Sequence, residues 1–341
     1  MANRSGNVKR LLVVGGGLIG IRHVHAVKQN PNCTLVGLAD PDTSIEIDAK
    51  RFASMDDVNE EVDGVIIATP THLHATHGVS AASRGWHMLI EKPVAESLEE
   101  AETLKNAVSN AGIHTLVGHH RRYHQTLQRL KSHIEQGAIG KLVNVSLIWA
   151  MRKPDSYFEG NWRTSGGSPV MINLVHDIDV LRFAIGEISE VVALRGASVR
   201  GANRIESGAV AIAFDNGATG TISFADTTPS PWGFEAGIGE NPNIGTTHQD
   251  MMWITGTEGA ISFPSLNLWN GRDWGTAAQK EQLPKPVQKR TPLEAQLDHF
   301  LEVIDGAPPL IDVSDAARTL AVATTIEAAL KEQVTHIQAR A

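Results

Sequence analysis

The chain has 341 residues, 42% of them hydrophobic and 20% charged, with a net charge of -8 and one cysteine. That balance suits a globular enzyme of two domains, and with no basic block it argues against nucleic acid as a partner. The lone Cys33 excludes an intrachain disulfide; no run approaches the ~18 apolar residues of a membrane span and no signal segment precedes the first strand, so a cytoplasmic protein with no membrane partner is expected.

Residues 9–40 read KRLLVVGGGLIGIRHVHAVKQNPNCTLVGLAD. The apolar run 11–14, closing on two β-branched valines, predicts a strand, Gly15, Gly16, Gly17 and Gly20 a turn, the amphipathic stretch after them a helix, and 34–39 a second strand closing on Asp40. In such a unit Gly15 permits the tight turn, Gly17 lets backbone N–H groups approach a pyrophosphate, and Gly20 clears room for the helix on the strand. Leu18 and Ile19 open the helix whose positive dipole end faces the phosphates. Asp40, about 20 residues beyond the glycines, is placed to accept from a ribose 2′- and 3′-hydroxyl pair. Asp42 follows and no Arg or Lys occurs before Lys50, so a 2′-phosphate would be repelled and NAD is expected over NADP.

Further along, 63–68 predicts a strand ending at Thr69-Pro70, 71–84 a helix, and 87–90 a strand ending at Glu91-Lys92-Pro93. A helix over 97–110 opens with Ser97 and Glu100 at capping-box spacing, and 114–118 is a further strand. This βαβ alternation predicts a doubly wound, mostly parallel Rossmann sheet over 1–122. From about residue 121 the pattern changes. A helix over 125–136 is followed by strands at 142–151, 191–199, 209–214, 218–225, 252–255 and 260–263, with one helix, 171–185, inserted. Helices at 292–304 and 314–333 complete a C-terminal α/β domain, 123–341, with a largely antiparallel open sheet. The Pro- and Gly-rich stretch 227–247 reads as a long functional or mobile loop.

Ligands of a doubly wound sheet bind outside the carboxyl ends of its strands. Three ends carry notable residues: TPTHLH at 69–74, EKP at 91–93 and GHHRRY at 118–123; the inserted helix adds Gly166-Gly167-Ser168, Asn173, His176, Asp177 and Asp179. With these motifs in register, the sequence resembles the glucose–fructose oxidoreductase / inositol dehydrogenase family of NAD(P)-dependent sugar and polyol oxidoreductases over most of its length. The EKP tripeptide is the most specific part. The resemblance implies that the second domain binds substrate and that its open sheet makes homodimer or homotetramer contacts. It implies that Lys92 and His176 flank the reacting carbon, with Thr69, Pro70, His72, Glu91, Trp162 and Arg163 near the cofactor. One position departs from the family pattern: the Asp common four residues before the helix histidine is Ile172 here, with Asn173 the nearest polar substitute. An amide cannot act as a base, so proton transfer falls on His176.

The residues read alone agree. Oxidising a secondary alcohol needs a base, and histidine titrates near ~6.5; a lysine ammonium stabilises developing alkoxide charge. Lys92 and His176 are therefore candidate catalysts, Asn173 an orienter of substrate, and His120, Arg122 and Trp232 candidate substrate contacts. The expected activity is NAD-dependent oxidation of a secondary hydroxyl on a sugar, inositol or related cyclic polyol. Two rivals keep the fold: oxidation of a carboxylated ring of the dihydrodiol type, served by Arg121, Arg122, Arg152 and Arg163, or a non-catalytic NAD sensor. Blander roles stand beside these. The arginines could make ion pairs, Asp177 and Asp179 could hold His176 and neighbouring backbone, and Trp149 and Phe234 could be core. Cys33 is read as a small core residue. The pairs His23/His25 and His72/His74 lack a Cys cluster or HExxH, so no metal is expected.

Overall fold

The computed structural model describes residues 8–159, 168–201, 204–241 and 243–332; Trp162, Arg163, Gly166 and Gly167 lie outside them. In chain order the first part holds β1 (Lys9–Val14), α1 (Leu18–Gln29), β2 (Cys33–Ala39), β3 (Arg51–Phe52), β4 (Gly64–Ile67), α2 (His74–Ser83), β5 (His87–Ile90), α3 (Leu98–Ala111) and β6 (Thr115–Val117). The six strands are ordered β3-β2-β1-β4-β5-β6, and every neighbouring pair is parallel. This is the doubly wound order, reversing direction between β1 and β4, where ligands of such sheets bind. The strands form because both of their faces are covered: Leu11, Leu12, Val13, Ile66, Ile67 and Leu89 are all 0% exposed. At the start of α3, Ser97 Oγ accepts from Glu100 N–H at 3.2 Å. The reciprocal arm of the capping box differs, because the Glu100 carboxylate accepts from Glu96 N–H instead.

The second part holds α4 (Gln125–Glu135), β7 (Leu142–Ala150), α5 (Val175–Ala184), β8 (Ile188–Arg195), β9 (Ser207–Phe214), β10 (Thr219–Ala225), α6 (Phe234–Ile238), β11 (Met252–Gly256), β12 (Gly259–Phe263), β13 (Asn267–Asn270) and β14 (Gln279–Gln282), followed by α7 (Pro292–Ile304) and α8 (Val313–Glu332). Its eight strands run β14-β13-β12-β11-β7-β10-β9-β8. Only the β10–β7 pair is parallel; the other neighbours are antiparallel. One face of this sheet meets α4, α5 and α8 in a core containing Leu127, Leu130, Ile178, Leu181, Ile222, Ile254 and Ile326. The opposite face leaves Val192, Leu194, Trp253 and Trp269 exposed.

Two compact units result: the chain up to Tyr123 together with Lys289–Leu320, and His124–Gln288 together with the chain from Ala321. The division at 122/123 read from the sequence therefore differs in one segment, which returns to the first unit. The contacts explain the return. Gln296 Nε2 donates to Val117 O on β6 at 3.1 Å, Asn30 Nδ2 donates to Asp298 at 2.7 Å, and Phe300 and Ile304 press on Gly64, where a Cβ would meet them at 3.0 and 2.9 Å.

Candidate active site

The glycine turn has the geometry its spacing predicts. Gly15 sits at φ 98, and a side chain there would run into Ala68 O at 2.6 Å. A Cβ on Gly20 would lie 1.9 Å from Gly15 O, so α1 packs on β1 only with glycine at that position. Gly17 is different: its missing Cβ meets nothing within 4 Å. Gly17 is also the N-cap of α1, with no side-chain cap and no acid in the first turn. The first N–H groups of α1 therefore have no side-chain acceptor at the place where a pyrophosphate would lie. Leu18 beside them is 81% exposed. Asp40 terminates β2; its Oδ2 accepts from Gly16 N–H at 2.6 Å and its Oδ1 from Asp42 N–H at 2.8 Å. Beyond it opens a cleft of ≈ 520 Å³ lined by Asp40, Ile45, Ile47, Arg51 and Phe52. Arg51, one residue past the Lys50 limit read from the sequence, points its guanidinium at the backbone oxygens of Asp42 (2.6 Å) and Ile45. An open cradle at Gly17, an uncapped helix end and a carboxylate at the rim of a cleft fit a dinucleotide.

The ends of β4, β5 and β6 are laced together. Glu91 N–H donates to Ile67 O at 2.8 Å and Gly118 N–H to Ile90 O at 2.7 Å. Thr69 and Pro70 follow β4; Thr69 Oγ1 lies 3.3 Å from His77 Nδ1. His72 is exposed, whereas His74 is buried, 2.7 Å from Pro93 O through Nδ1 and 2.8 Å from Thr69 O through Nε2. Burial pushes the His74 imidazole below its usual range, against the pull of those two carbonyls. Glu91 is buried too, its Oε1 2.8 Å from His23 Nε2. Burial works to raise its carboxyl, but the His23 contact, with His120 and Lys92 nearby, holds it down to about 2. The Glu91 side chain is thus turned onto α1. Lys92, half-buried, stands between these two fixed neighbours. His120 opens the 3-10 turn His120–Tyr123. Arg122 pairs with Asp315 at 2.7 Å and donates to Leu310 O at 3.1 Å, so a substrate carboxylate would have to compete with an internal ion pair. Cys33 is a core thiol, pushed up to about 11 by burial and then by Asp298.

On the second unit, the segment expected as α-helix over 171–185 begins instead as a π-helical turn, Val170–Leu174, and becomes α5 only at Val175. The wider turn changes the angular step before His176; such turns recur at functional positions. Asn173 lies within it, His176 in the first turn of α5, and His176, Asp177 and Asp179 are all buried. Asn173 Nδ2 reaches Glu235 Oε1 at 3.5 Å, and Trp149 Nε1 donates to Glu235 Oε2 at 3.3 Å. Glu235, on α6, went unread in the sequence. The signal was there: a lone acid in the apolar run PWGFEAGIG, inside the loop 227–247. Trp149 and Phe234 are core, while Trp232 is 38% exposed and bridges Ala150 through its carbonyl at 2.8 Å. Among the described residues no three His, Cys, Asp or Glu groups are gathered for a metal ion.

A doubly wound sheet with this glycine turn and strand-end acid, joined to a mostly antiparallel sheet, defines an NAD-binding oxidoreductase. Comparison with known proteins carries the assignment further. Residues 9–119 match the family described as "Oxidoreductase family, NAD-binding Rossmann fold", and residues 127–262 match the "GFO/IDH/MocA C-terminal domain". The chain belongs to the GFO/IDH/MocA family. It is 26% identical to the scyllo-inositol 2-dehydrogenase (NAD(+)) of Bacillus subtilis, over 92% of this chain and 91% of that protein. It is 30% identical to the rhizopine catabolism protein MocA of Rhizobium meliloti over 64% and 72% of the two chains. In fold it is similar to the WlbA dehydrogenase of Bordetella pertussis, solved with NADH and UDP-GlcNAcA (TM-score 0.75, 23% identity, 96% and 98% of the two chains). Among the described residues no helix is long and apolar enough to cross a membrane.

Proposed function

We propose that the protein is a cytoplasmic NAD-dependent dehydrogenase that oxidises a secondary hydroxyl of a sugar, inositol or related cyclic polyol. The observation that carries this reading is Lys92, half-buried at the carboxyl end of β5 between two anchored neighbours, in a chain similar along almost its whole length to an inositol dehydrogenase. Gly15, Gly17, Gly20, Leu18 and Ile19 cradle the pyrophosphate, Asp40 takes the ribose hydroxyls, and Thr69, Pro70 and His72 border the cofactor on the β4 side. NAD supplies the hydride acceptor when bound. Lys92 holds its ammonium toward the substrate oxygen and stabilises the charge that develops as the proton leaves. His176 takes that proton at an imidazole nitrogen. Asn173, its amide N–H₂ turned to Glu235, leaves Oδ1 as an acceptor for a substrate hydroxyl. His120 and Trp232 are assigned to the substrate rim. The exposed apolar face of the second sheet, with Trp253 and Trp269, is the surface through which a homo-oligomer would form.

The test is a titration with NAD and then NADP, followed by a screen of inositols and sugars for nicotinamide reduction. Tight NAD binding with turnover of one polyol class is expected; preference for NADP would remove the role given to Asp40. Lys92→Ala should lose at least about 10³-fold in kcat with NAD affinity kept within about 3-fold. His176→Ala should abolish the acidic limb of the pH–rate profile, and an unchanged profile sinks its role as base.

A further inference from the structure

We propose that His23 and His74 form a two-sided clamp that positions Lys92, one gripping the residue before it and the other the residue after it. The inference rests on Lys92 being the electrostatic catalyst.

His23 lies on α1 and is 1% exposed; Glu91, 6% exposed, ends β5. Their 2.8 Å contact fixes one carboxylate oxygen. The other, Oε2, lies 3.3 Å from the N–H of Lys92 itself, and a Cβ on Gly118 would meet it at 2.8 Å. The carboxylate thus occupies a space kept open by a glycine on the next strand, with its position fixed on three sides. Burying such a pair gains little stability over apolar packing of the same volume, and losing one partner is costly. Stability alone gives no reason for a histidine and a glutamate here, whereas positioning does.

His74 works from the opposite side. It is 1% exposed, and its two ring nitrogens bridge Thr69 O at the end of β4 and Pro93 O in the EKP segment. A neutral ring donates to one of these carbonyls and a protonated ring to both. In either form, the imidazole fills the gap between two strand ends and fixes how Pro93 leaves Lys92. Neither histidine exposes its ring to solvent, so neither is a catalytic residue; both act through the backbone and neighbours of Lys92. Partners that orient a reacting group in this way are typically worth about 10–100-fold in activity.

His23→Leu and His74→Phe keep apolar bulk and remove the polar contacts; His23→Gln keeps a donor toward Glu91. Two readouts are taken. The first is kcat and the KM for NAD with the polyol that reduces NAD in the screen. The second is the rate at which acetic anhydride acylates Lys92, read by peptide mass spectrometry whether or not the enzyme turns over. We expect kcat to fall about 10–100-fold in the Leu and Phe variants with the KM for NAD within about 2-fold, and to return to within about 3-fold of wild type in His23→Gln. Lys92 should be acylated at least about 2-fold faster in the first two, as a side chain released from its supports is more accessible. Wild-type kcat and wild-type acylation in both folded variants overturn the clamp. If Lys92→Ala itself still turns over, the functional reading has failed; acylation then decides the clamp alone, faster labelling supporting it and an unchanged rate overturning it. Where circular dichroism shows that one variant does not fold, the other carries the test from the opposite side.

Discussion

Two glycines three positions apart in the same turn serve different ends, and substitution separates them. Gly20→Ala places a Cβ 1.9 Å from Gly15 O and should cost on the order of 1–3 kcal/mol or more of stability, read by thermal unfolding. Gly17→Ala meets no protein atom within 4 Å. Its unfolding free energy should fall by no more than about 1 kcal/mol, the cost of alanine at an N-cap, while the Kd for NAD rises about tenfold, ~1.4 kcal/mol. Equal effects of both on stability would contradict the assignment of Gly17 to the ligand side. Glu91 supplies a pH prediction. Its carboxyl sits at about 2 when folded and near ~4.3 when unfolded. The stability it contributes is therefore complete above the unfolded value and lost as pH falls through the folded one. In His23→Leu the contact that holds the carboxyl down is gone and burial raises it, so the fall in urea midpoint below about pH 4.3 should be smaller than in wild type. At this scale the glycine turn and the strand-end acid were legible, because Gly15 to Asp40 are ordered by spacing along one βαβ unit. The partners of Glu91 and Asn173 were not: His23 lies 68 positions from Glu91, and Glu235 lies 62 from Asn173, so only the folded chain joins them.

Among elements, those with strong apolar periodicity were read nearly to their ends, as with α7, expected at 292–304 and found at Pro292–Ile304. Its start is held by a capping box: Thr291 Oγ1 accepts from Glu294 N–H at 3.3 Å and Glu294 Oε2 from Thr291 N–H at 2.8 Å. Thr291→Ala should lose about 1 kcal/mol in urea unfolding; no loss would mean that tertiary packing alone holds the helix end. Strands whose residues face water on both sides carried no such pattern. β14 reads QKEQ with all four residues exposed, and its hydrogen bonds to β13 are its reason to exist. β8 was expected at 191–199 and lies at Ile188–Arg195, since its register is set by β9 rather than by its own alternation. The π-helical turn before α5 had no sequence mark that distinguishes it from an ordinary first turn.

For the whole molecule, the open face of the second sheet is where association would show. Trp253 on β11 and Trp269 on β13 are 37% and 39% exposed, and Val192 and Leu194 are exposed on β8 at the other edge of the same sheet. If this face joins copies of the chain, Trp253→Glu with Trp269→Glu should shift the protein to a smaller species in sedimentation, with the far-ultraviolet spectrum unchanged; an unaltered sedimentation coefficient would remove this face as an interface. The division into units was the part of the architecture least legible in sequence, because nothing in the amphipathic pattern of α7 says which sheet it covers. That return has a consequence for biosynthesis. When Tyr123 leaves the ribosome the first sheet has all six strands, but the helix that covers Gly64, accepts from Asn30 and donates to Val117 has not been made. Translation at ~5–20 residues per second leaves that flank bare for on the order of ten to thirty seconds, while the whole second sheet is synthesised. The nascent nucleotide domain waits, incomplete, for a distant piece of its own chain, and during that interval the apolar flank around Gly64 lacks its cover.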